Sequence, residues 1–556
     1  MQRSDGDSAT TLVWSVLIFV AALGVRLFYL YQLGETPFFN DFDLVGDARY
    51  YDMRAREITA GDWFGDTAGF LSPFYCLTMA AVYFVVGPGL PAVKMFHAVL
   101  GALSCVLLYL IARRLFSESV GRIAGGLLAF YALHVYYTGI VLPATVIVFL
   151  HLMLVLVLTG GPARWRSLIG GLLIGLSAAA KANAVLLLPA LILVVWLVRR
   201  DVVVRERIVA SALLTIGTVL AIAPVTIGNY LASDSFVLLT TTGGNNLLKG
   251  NGPDSTGTHV FLPHRAPVGL RAHFEKTVDP REAVRQSKLL RDEAWQHMLS
   301  RPGRTVGMFT KKLLLFLNGK ELAIRDQYYF ARTQVPLLRW PLISFWFIVP
   351  LGLAGIWFSG SRRQELAVLW AVLAVQAVSF LLIFVLARYR MVAVACLLPF
   401  AAKQIVGVVD SLRAGEWRKL GTTALLLTVF TGVAFVPFSE FPRDRGFADQ
   451  YKFVADQHLR RGSFDLAAGE YRKAIDSDWQ DPRRTELLRW ECMLRLAQSE
   501  IPLGRADEAR RTLESLLAEL EAAPSAAASA LEHQARQLLE QLGAASEPAA
   551  GAGRDL

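Results

Sequence analysis

Apolar runs of about 18 residues or more recur from Thr11 to Phe438 and stop after Pro442, and each can cross a hydrocarbon layer roughly 30 Å thick. Few folds are open to such a chain. In lipid every backbone N–H and C=O must be satisfied within the chain, so each spanning run has to become a helix. Composition agrees, with 54% of the 556 residues hydrophobic and 18% charged, more apolar surface than a soluble core needs. The first run, Trp14 to Leu33, lacks a basic leading region and a convincing small-residue cleavage site, which makes it a retained helix rather than a signal peptide.

Basic residues favour the cytoplasmic ends of membrane helices, so short basic loops mark orientation. The clusters are Arg113, Arg114 and Arg122; Arg164 and Arg166; Arg199, Arg200, Arg205 and Arg207; Arg362 and Arg363; and Lys403, Arg413, Arg418 and Lys419. Placing all of them inside predicts an all-α membrane protein of about eleven spans, at roughly 12–33, 94–112, 120–138, 141–159, 167–181, 183–198, 207–228, 340–358, 365–386, 391–409 and 420–438. The N-terminus is then inside, and the outer segments are about 34–93, 229–339 and everything after 438. A span over Ser72 to Gly87 would push Arg113 and Arg114 outside, so that stretch reads as an interfacial or re-entrant helix. The inverted topology is the alternative. The formal net charge of +10 sits mostly at these helix ends, and no nucleic-acid partner is expected.

Beyond Pro442 the chain turns charged and rich in Ala, Leu and Arg, with helical periodicity. It also repeats: Gly462-Ser-Phe-Asp-Leu-Ala467, followed by Tyr471, Lys473 and Ala474, matches Gly504-Arg-Ala-Asp-Glu-Ala509. The pattern resembles tetratricopeptide helix pairs, with one linking helix longer than the usual repeat of about 34 residues allows. The expected domains are a transmembrane domain over 1–440, a helical repeat domain over 445–543 and a disordered tail over 544–556.

Basic residues at the outer ends of helices break the charge trend. Lys181 lies between two apolar runs, and Arg388 and Arg390 lie in Leu-Ala-Arg-Tyr-Arg-Met at another outer hairpin. A cation there either snorkels to the interface or pairs with an anionic headgroup. The first outer loop supplies acids: Asp41 and Asp43 as ordinary loop residues, then Asp47-Ala-Arg-Tyr-Tyr, which opens a short helix stopped by Gly61. Asp47 is either the cap of that helix or a working carboxylate, with Tyr50 and Tyr51 beside it as substrate contacts. The stretch Thr241 to Gly257 is rich in Gly and Asn but lacks the Lys-Ser/Thr ending of a nucleotide loop. Its Asn245, Asn246 and Asn251 either bond sugar hydroxyls or serve tight turns. The histidines show no metal spacing, and His97, His134 and His151 read as structural. Four separated cysteines suggest neither a disulfide framework nor a zinc site.

In this order, the features resemble the GT-C membrane glycosyltransferases related to protein O-mannosyltransferases and lipid A aminoarabinose transferases, of the bacterial type with a tetratricopeptide tail. Four segments carry the resemblance: Asp47-Ala-Arg-Tyr-Tyr with Arg56-Glu57-Ile58 and Gly61-Asp62-Trp63; Ser72-Pro73-Phe74-Tyr75; Thr241 to Gly257; and Lys311-Lys312 through Asn318-Gly-Lys-Glu321 to Tyr329-Phe330, followed by Ala387-Arg-Tyr-Arg390. Two positions depart from it. The Asp-Glu pair of the mannosyltransferases is here Gly46-Asp47, and Leu71-Ser72 stands where aminoarabinose relatives place a lysine. The resemblance implies that Lys181, Arg388 and Arg390 contact the carrier phosphate.

Taken together, the residues and the resemblance predict a transferase that moves a sugar from a polyprenyl-phosphate donor to a glycan, lipid or protein acceptor outside the cytoplasm. Asp47 is the expected base, and inversion is expected because no second carboxylate is marked as a nucleophile. The expected location is a bacterial inner membrane, with the repeats outside and open to a protein partner. No cofactor is required in this reading, and a divalent metal, used by the more distant oligosaccharyltransferases, is left open. The rival readings are a flippase or transporter of lipid-linked saccharides and a non-catalytic membrane anchor for the repeats.

Overall fold

The computed structural model describes residues 5–546 except 37–38, 40–46, 64, 66–68, 162, 199, 201, 259–278, 323–326, 341, 361–363, 439–446, 478–484 and 523–525. Asp41, Asp43, Arg362, Arg363, His259, His264 and His273 lie outside the described residues. The elements that follow are helices, and an isolated backbone bridge joins Tyr131 to Ile343.

In chain order they begin with α1 (Asp5–Gly34), α2 (Asp47–Thr59), α3 (Pro73–Val86), α4 (Leu90–Leu115), α5 (Glu118–Ala129), α6 (Ala132–Tyr136), α7 (Ala144–Leu158) and α8 (Arg164–Ala180). A 3-10 turn (Ala182–Leu186) leads into α9 (Leu187–Leu197), followed by α10 (Val204–Ser233), α11 (Gly243–Asn251), α12 (Pro280–Ser300), α13 (Pro302–Leu317) and α14 (Gln327–Gln334). Then come α15 (Phe345–Trp357), α16 (Ala367–Leu382), α17 (Ala387–Ala414) and α18 (Trp417–Ala434). Among the described residues, α1, α4, α10 and α17 are long and apolar enough to cross a membrane by length and composition. Shorter apolar helices accompany them, including α3, α7, α15 and α16.

Two expected spans are interrupted. The run over 120–138 stops at Ala129, where Ala132 N donates to Ile343 O at 2.9 Å and Ile343 N donates to Phe130 O at 3.1 Å. That bridge takes backbone groups a continuous helix would have paired internally. The run over 183–198 opens as the 3-10 turn because Lys181 is extended (φ −155°, ψ 107°) and ends α8.

Glycines decide how closely α8 and α10 approach. A Cβ on Gly171 would lie 2.2 Å from Leu214 O, and one on Gly217 would lie 2.4 Å from Leu168 O. With both side chains absent the backbones touch, and Thr218 Oγ1 donates across to Gly171 O at 3.1 Å. This contact sets the line of α8, whose last turn delivers Lys181.

The chain divides into two compact units, one comprising 1–35, 43–324 and 332–440, the other 36–42, 325–331 and 441–556. The second unit holds α19 (Ala448–Arg460), α20 (Phe464–Asp476), α21 (Thr485–Glu500), α22 (Ala506–Ala522) and α23 (Ala526–Ser546), each packed on the next. The sequence repeat recurs in its geometry. Gly462 and Gly504 both turn through the left-handed region, at φ +72° and +74°, and Ala467 and Ala509, five residues on, are fully buried. Residues 544–546 of the expected tail complete α23, and the remainder lies outside the described residues.

Gly171→Leu should destabilise the purified protein by about 1–3 kcal/mol and lower its melting temperature in detergent. Gly407→Leu, whose added side chain has open space, should leave the melting temperature unchanged. Equal stability of the two variants would refute the close-packing account.

Candidate functional site

Asp47 is the first residue of α2, where the N-terminal end of the helix dipole favours an acid. The helix is fixed by its buried face of Tyr50, Tyr51, Ala55 and Ile58. Its far end is clasped by Arg54, which reaches Glu57 at 2.9 Å and Asp62 at 3.1 Å. The Tyr51 ring meets Tyr75 edge-on at 4.8 Å, and its hydroxyl donates to Ser72 Oγ at 3.4 Å. Burial, reinforced by the neighbouring Asp47 charge, holds the Tyr51 phenol well above its usual range, so it stays a neutral hydroxyl.

A cavity of about 250 Å³ opens beside this helix. Asp47 and Tyr51 line it from α2, Lys181 from the end of α8, Asn246 from the first turn of α11, and Arg388 and Tyr389 from the first turn of α17. Arg388 Nη1 lies 3.2 Å from Asp47 Oδ2, and Arg388 Nη2 donates to the Tyr389 hydroxyl at 3.3 Å, while Nε is buried without a partner. Lys181 Nζ sits 3.5 Å from the centroid of the Tyr389 ring. It has no carboxylate partner among the described residues. Two basic side chains and one carboxylate face the cavity, a set of groups suited to an anionic ligand.

Four expected contacts lie elsewhere. Arg390 is fully buried and turned away from the cavity: its Nη2 lies 2.6 Å from Glu321 Oε2, and its Nη1 donates to Asn318 O at 2.6 Å. It fastens the 318–321 segment to α17. Asn251 accepts from Lys312 Nζ at 2.7 Å and donates to Leu382 O at 2.7 Å, so it is a packing residue. Tyr50 is buried against Phe70 at 5.7 Å, and Asn245 is buried with its Oδ1 unpaired; neither lines the cavity. The Gly-Asn stretch, expected as a loop, folds into α11 because its glycines allow close contacts. A Cβ on Gly244 would lie 1.8 Å from Ser287 O, and one on Gly250 would lie 2.2 Å from Ile383 O.

Several residues were missed. Tyr389 contacts both Lys181 and Arg388, but its role was hidden by the arginines flanking it. Lys249 lies within electrostatic reach of both Asp47 and Arg388, with burial lowering its ammonium and the Asp47 charge opposing that. Its position in the Gly-Asn segment was the only available signal. Ser72 donates to Ala180 O and so braces the turn that presents Lys181. Among the described residues no group of three or more His, Cys, Asp or Glu gathers as a metal site.

Removing Arg390 strands a buried Glu321 carboxylate, so Arg390→Ala should cost about 3–5 kcal/mol of stability. Arg388→Ala breaks a pair whose Asp47 side chain is 39% exposed and should cost no more than about 1 kcal/mol. Melting curves of the two variants check the contrast, and equal losses would contradict it.

Lys312, fully buried on α13, also donates to Leu381 O at 2.8 Å, and burial brings its amine from 10.5 down to about 7. Between those values the unfolded chain holds a proton that the folded chain has released, so this lysine's contribution to stability rises with pH. Wild type should therefore gain stability relative to Lys312→Met from about pH 7 to 10, measured by thermal unfolding. A flat difference would contradict this.

Residues 71–227 match the model of the family described as dolichyl-phosphate-mannose-protein mannosyltransferase. No curated protein matches the chain. The archaeal oligosaccharyltransferase AglB from Archaeoglobus fulgidus, in complex with an inhibitory peptide and a dolichol-phosphate, aligns at 13% identity and a TM-score of 0.44, over 83% of this chain and 60% of its own. This chain therefore spans less than two thirds of that protein's length. ArnT from Cupriavidus metallidurans, bound to undecaprenyl phosphate, aligns at 16% identity and a TM-score of 0.32, over 74% of this chain and 80% of its own.

Proposed function

We propose that the chain is a membrane glycosyltransferase that moves a sugar from a polyprenyl-phosphate carrier to an acceptor outside the cytoplasm. The observation that carries this reading is one cavity holding the Asp47 carboxylate, the Lys181 ammonium and the Arg388 guanidinium. The family match over 71–227, which includes Lys181, supports the choice of a lipid-phosphate sugar as the anionic ligand.

The chemistry needs these groups together. The acceptor hydroxyl attacks the anomeric carbon, a new carbon–oxygen bond forms, and the bond to the phosphate oxygen breaks with its electron pair staying on the phosphate. Lys181 and Arg388 stabilise the charge that grows there, a kind of contact whose loss typically costs about 10²–10³ in rate. Asp47 takes the acceptor's proton, for a further gain of about 10²–10⁴. With one carboxylate in place, displacement is direct and the anomeric centre inverts. An incoming phosphate competes with Asp47 for Arg388, so donor binding releases the carboxylate to act as a base.

In this reading the apolar helices make about eleven spans of a bacterial inner membrane, the cavity opens on the outer face, and the helices after Pro442 form tetratricopeptide-like pairs that hold an acceptor or a protein partner. Asp47→Asn should reduce transfer at least about 100-fold while binding of undecaprenyl phosphate is retained. Activity near wild type would remove Asp47 as the base. Reporter fusions after residue 445 should score extracytoplasmic; a cytoplasmic score would overturn the orientation. Mass spectrometry of envelope glycans and lipid-linked sugars in a deletion strain would identify the sugar and acceptor.

A further inference from the structure

Two polar side chains in the cavity wall take no part in the mechanism above. On α7 the wall runs from Ala144 through Ile147 to His151, and on α16 it runs from Gln376 to Ile383 at the helix end. Seven helical residues span about 10 Å. His151 and Gln376 therefore each stand that far along their helices from Ala144 and Ile383.

Both are more than nine-tenths buried, and neither is satisfied by the protein. His151 Nδ1 lies 2.8 Å from Ile147 O, and since a carbonyl only accepts, Nδ1 carries the proton. In the neutral ring Nε2 is then an acceptor, and it is buried without a partner. Gln376 is 3% exposed and makes no hydrogen bond among the described residues. A buried imidazole nitrogen is costly to leave unpaired, and the Gln376 amide faces the same cavity without a protein partner among the described residues; together they point to a ligand that completes both.

The parts of the donor differ in what they can offer. An ionised phosphate has only acceptors and cannot donate to Nε2. An isoprenoid tail has neither donors nor acceptors. A sugar hydroxyl donates to the imidazole and both donates to and accepts from the amide. Resting on the reading of this cavity as a donor site, we infer that His151 and Gln376 form the subsite that reads hydroxyls of the transferred sugar and so determine sugar specificity.

The test measures dissociation constants of the full-length protein in nanodiscs for undecaprenyl phosphate, bare and charged with glucose, mannose or galactose. Wild type should bind at least one charged carrier more tightly than the bare one. His151→Phe and Gln376→Met, which keep side-chain volume, should each weaken the charged form about tenfold and leave the bare form unchanged. His151→Gln, which restores an acceptor, should recover part of the loss. With wild type alone, monodeoxy versions of the preferred carrier should include one that binds about tenfold more weakly, a result that does not depend on any variant folding. Variants that bind both carriers as wild type does, variants that lose both in parallel, or a wild type that favours no charged carrier would each overturn the subsite while bare-carrier binding leaves the donor-site reading standing. Failure of wild type to bind any carrier would overturn both.

Discussion

Arg388 and Asp47 meet at 3.2 Å across 341 positions of sequence, and that contact joins the first turn of α17 to the first turn of α2. The proposed site depends on it, because it brings a carboxylate and a guanidinium into one cavity from opposite ends of the transmembrane unit. Its strength matters as much as its presence. With Asp47 39% exposed, the pair is worth about 0–1 kcal/mol, so an incoming phosphate can take the guanidinium from the carboxylate. Arg390, two residues on, is the opposite case, a fully buried partner of Glu321 whose separation would cost about 3–5 kcal/mol. In the proposed function one arginine exchanges partners while the other holds α17 still.

The rest of the unit supports that contact by close packing. The glycine-lined approach of α8 to α10 sets where Lys181 emerges, and the glycines of α11 seat that helix on α12 and against the end of α16. Lys312, bonded to Asn251 and to Leu381 O, ties α13 to both elements. The geometry of the site therefore belongs to the whole unit.

Much of this was legible in the sequence. Apolar runs indicated where helices lie, and misplaced cations pointed to Lys181 and Arg388, because both signals come from the energetics of a membrane environment. Asp47 followed from its place ahead of a short helical pattern. The roles of Arg388 and Arg390 could not be separated, since they are chemically alike and their helix was expected to start at about 391 instead of 387. Once both lie on a helix, two positions turn them about 200° apart, onto different faces. The Gly-Asn stretch misled because glycine marks turns and close helix contacts alike. Single polar residues inside apolar runs leave no periodic trace. His151 and Gln376 are such residues, and so is Arg26, which is fully buried on α1 with its Nη2 2.7 Å from His134 Nδ1.

The proposed function has Lys181 and Arg388 receive a lipid phosphate beside Asp47. A cryo-EM structure of the protein with undecaprenyl phosphate in nanodiscs tests it most directly. Phosphate density is expected within hydrogen-bonding distance of Lys181 Nζ and the Arg388 guanidinium, with the Arg388–Asp47 contact opened. A phosphate bound away from both cations, or one bound while that contact stays closed, would contradict it.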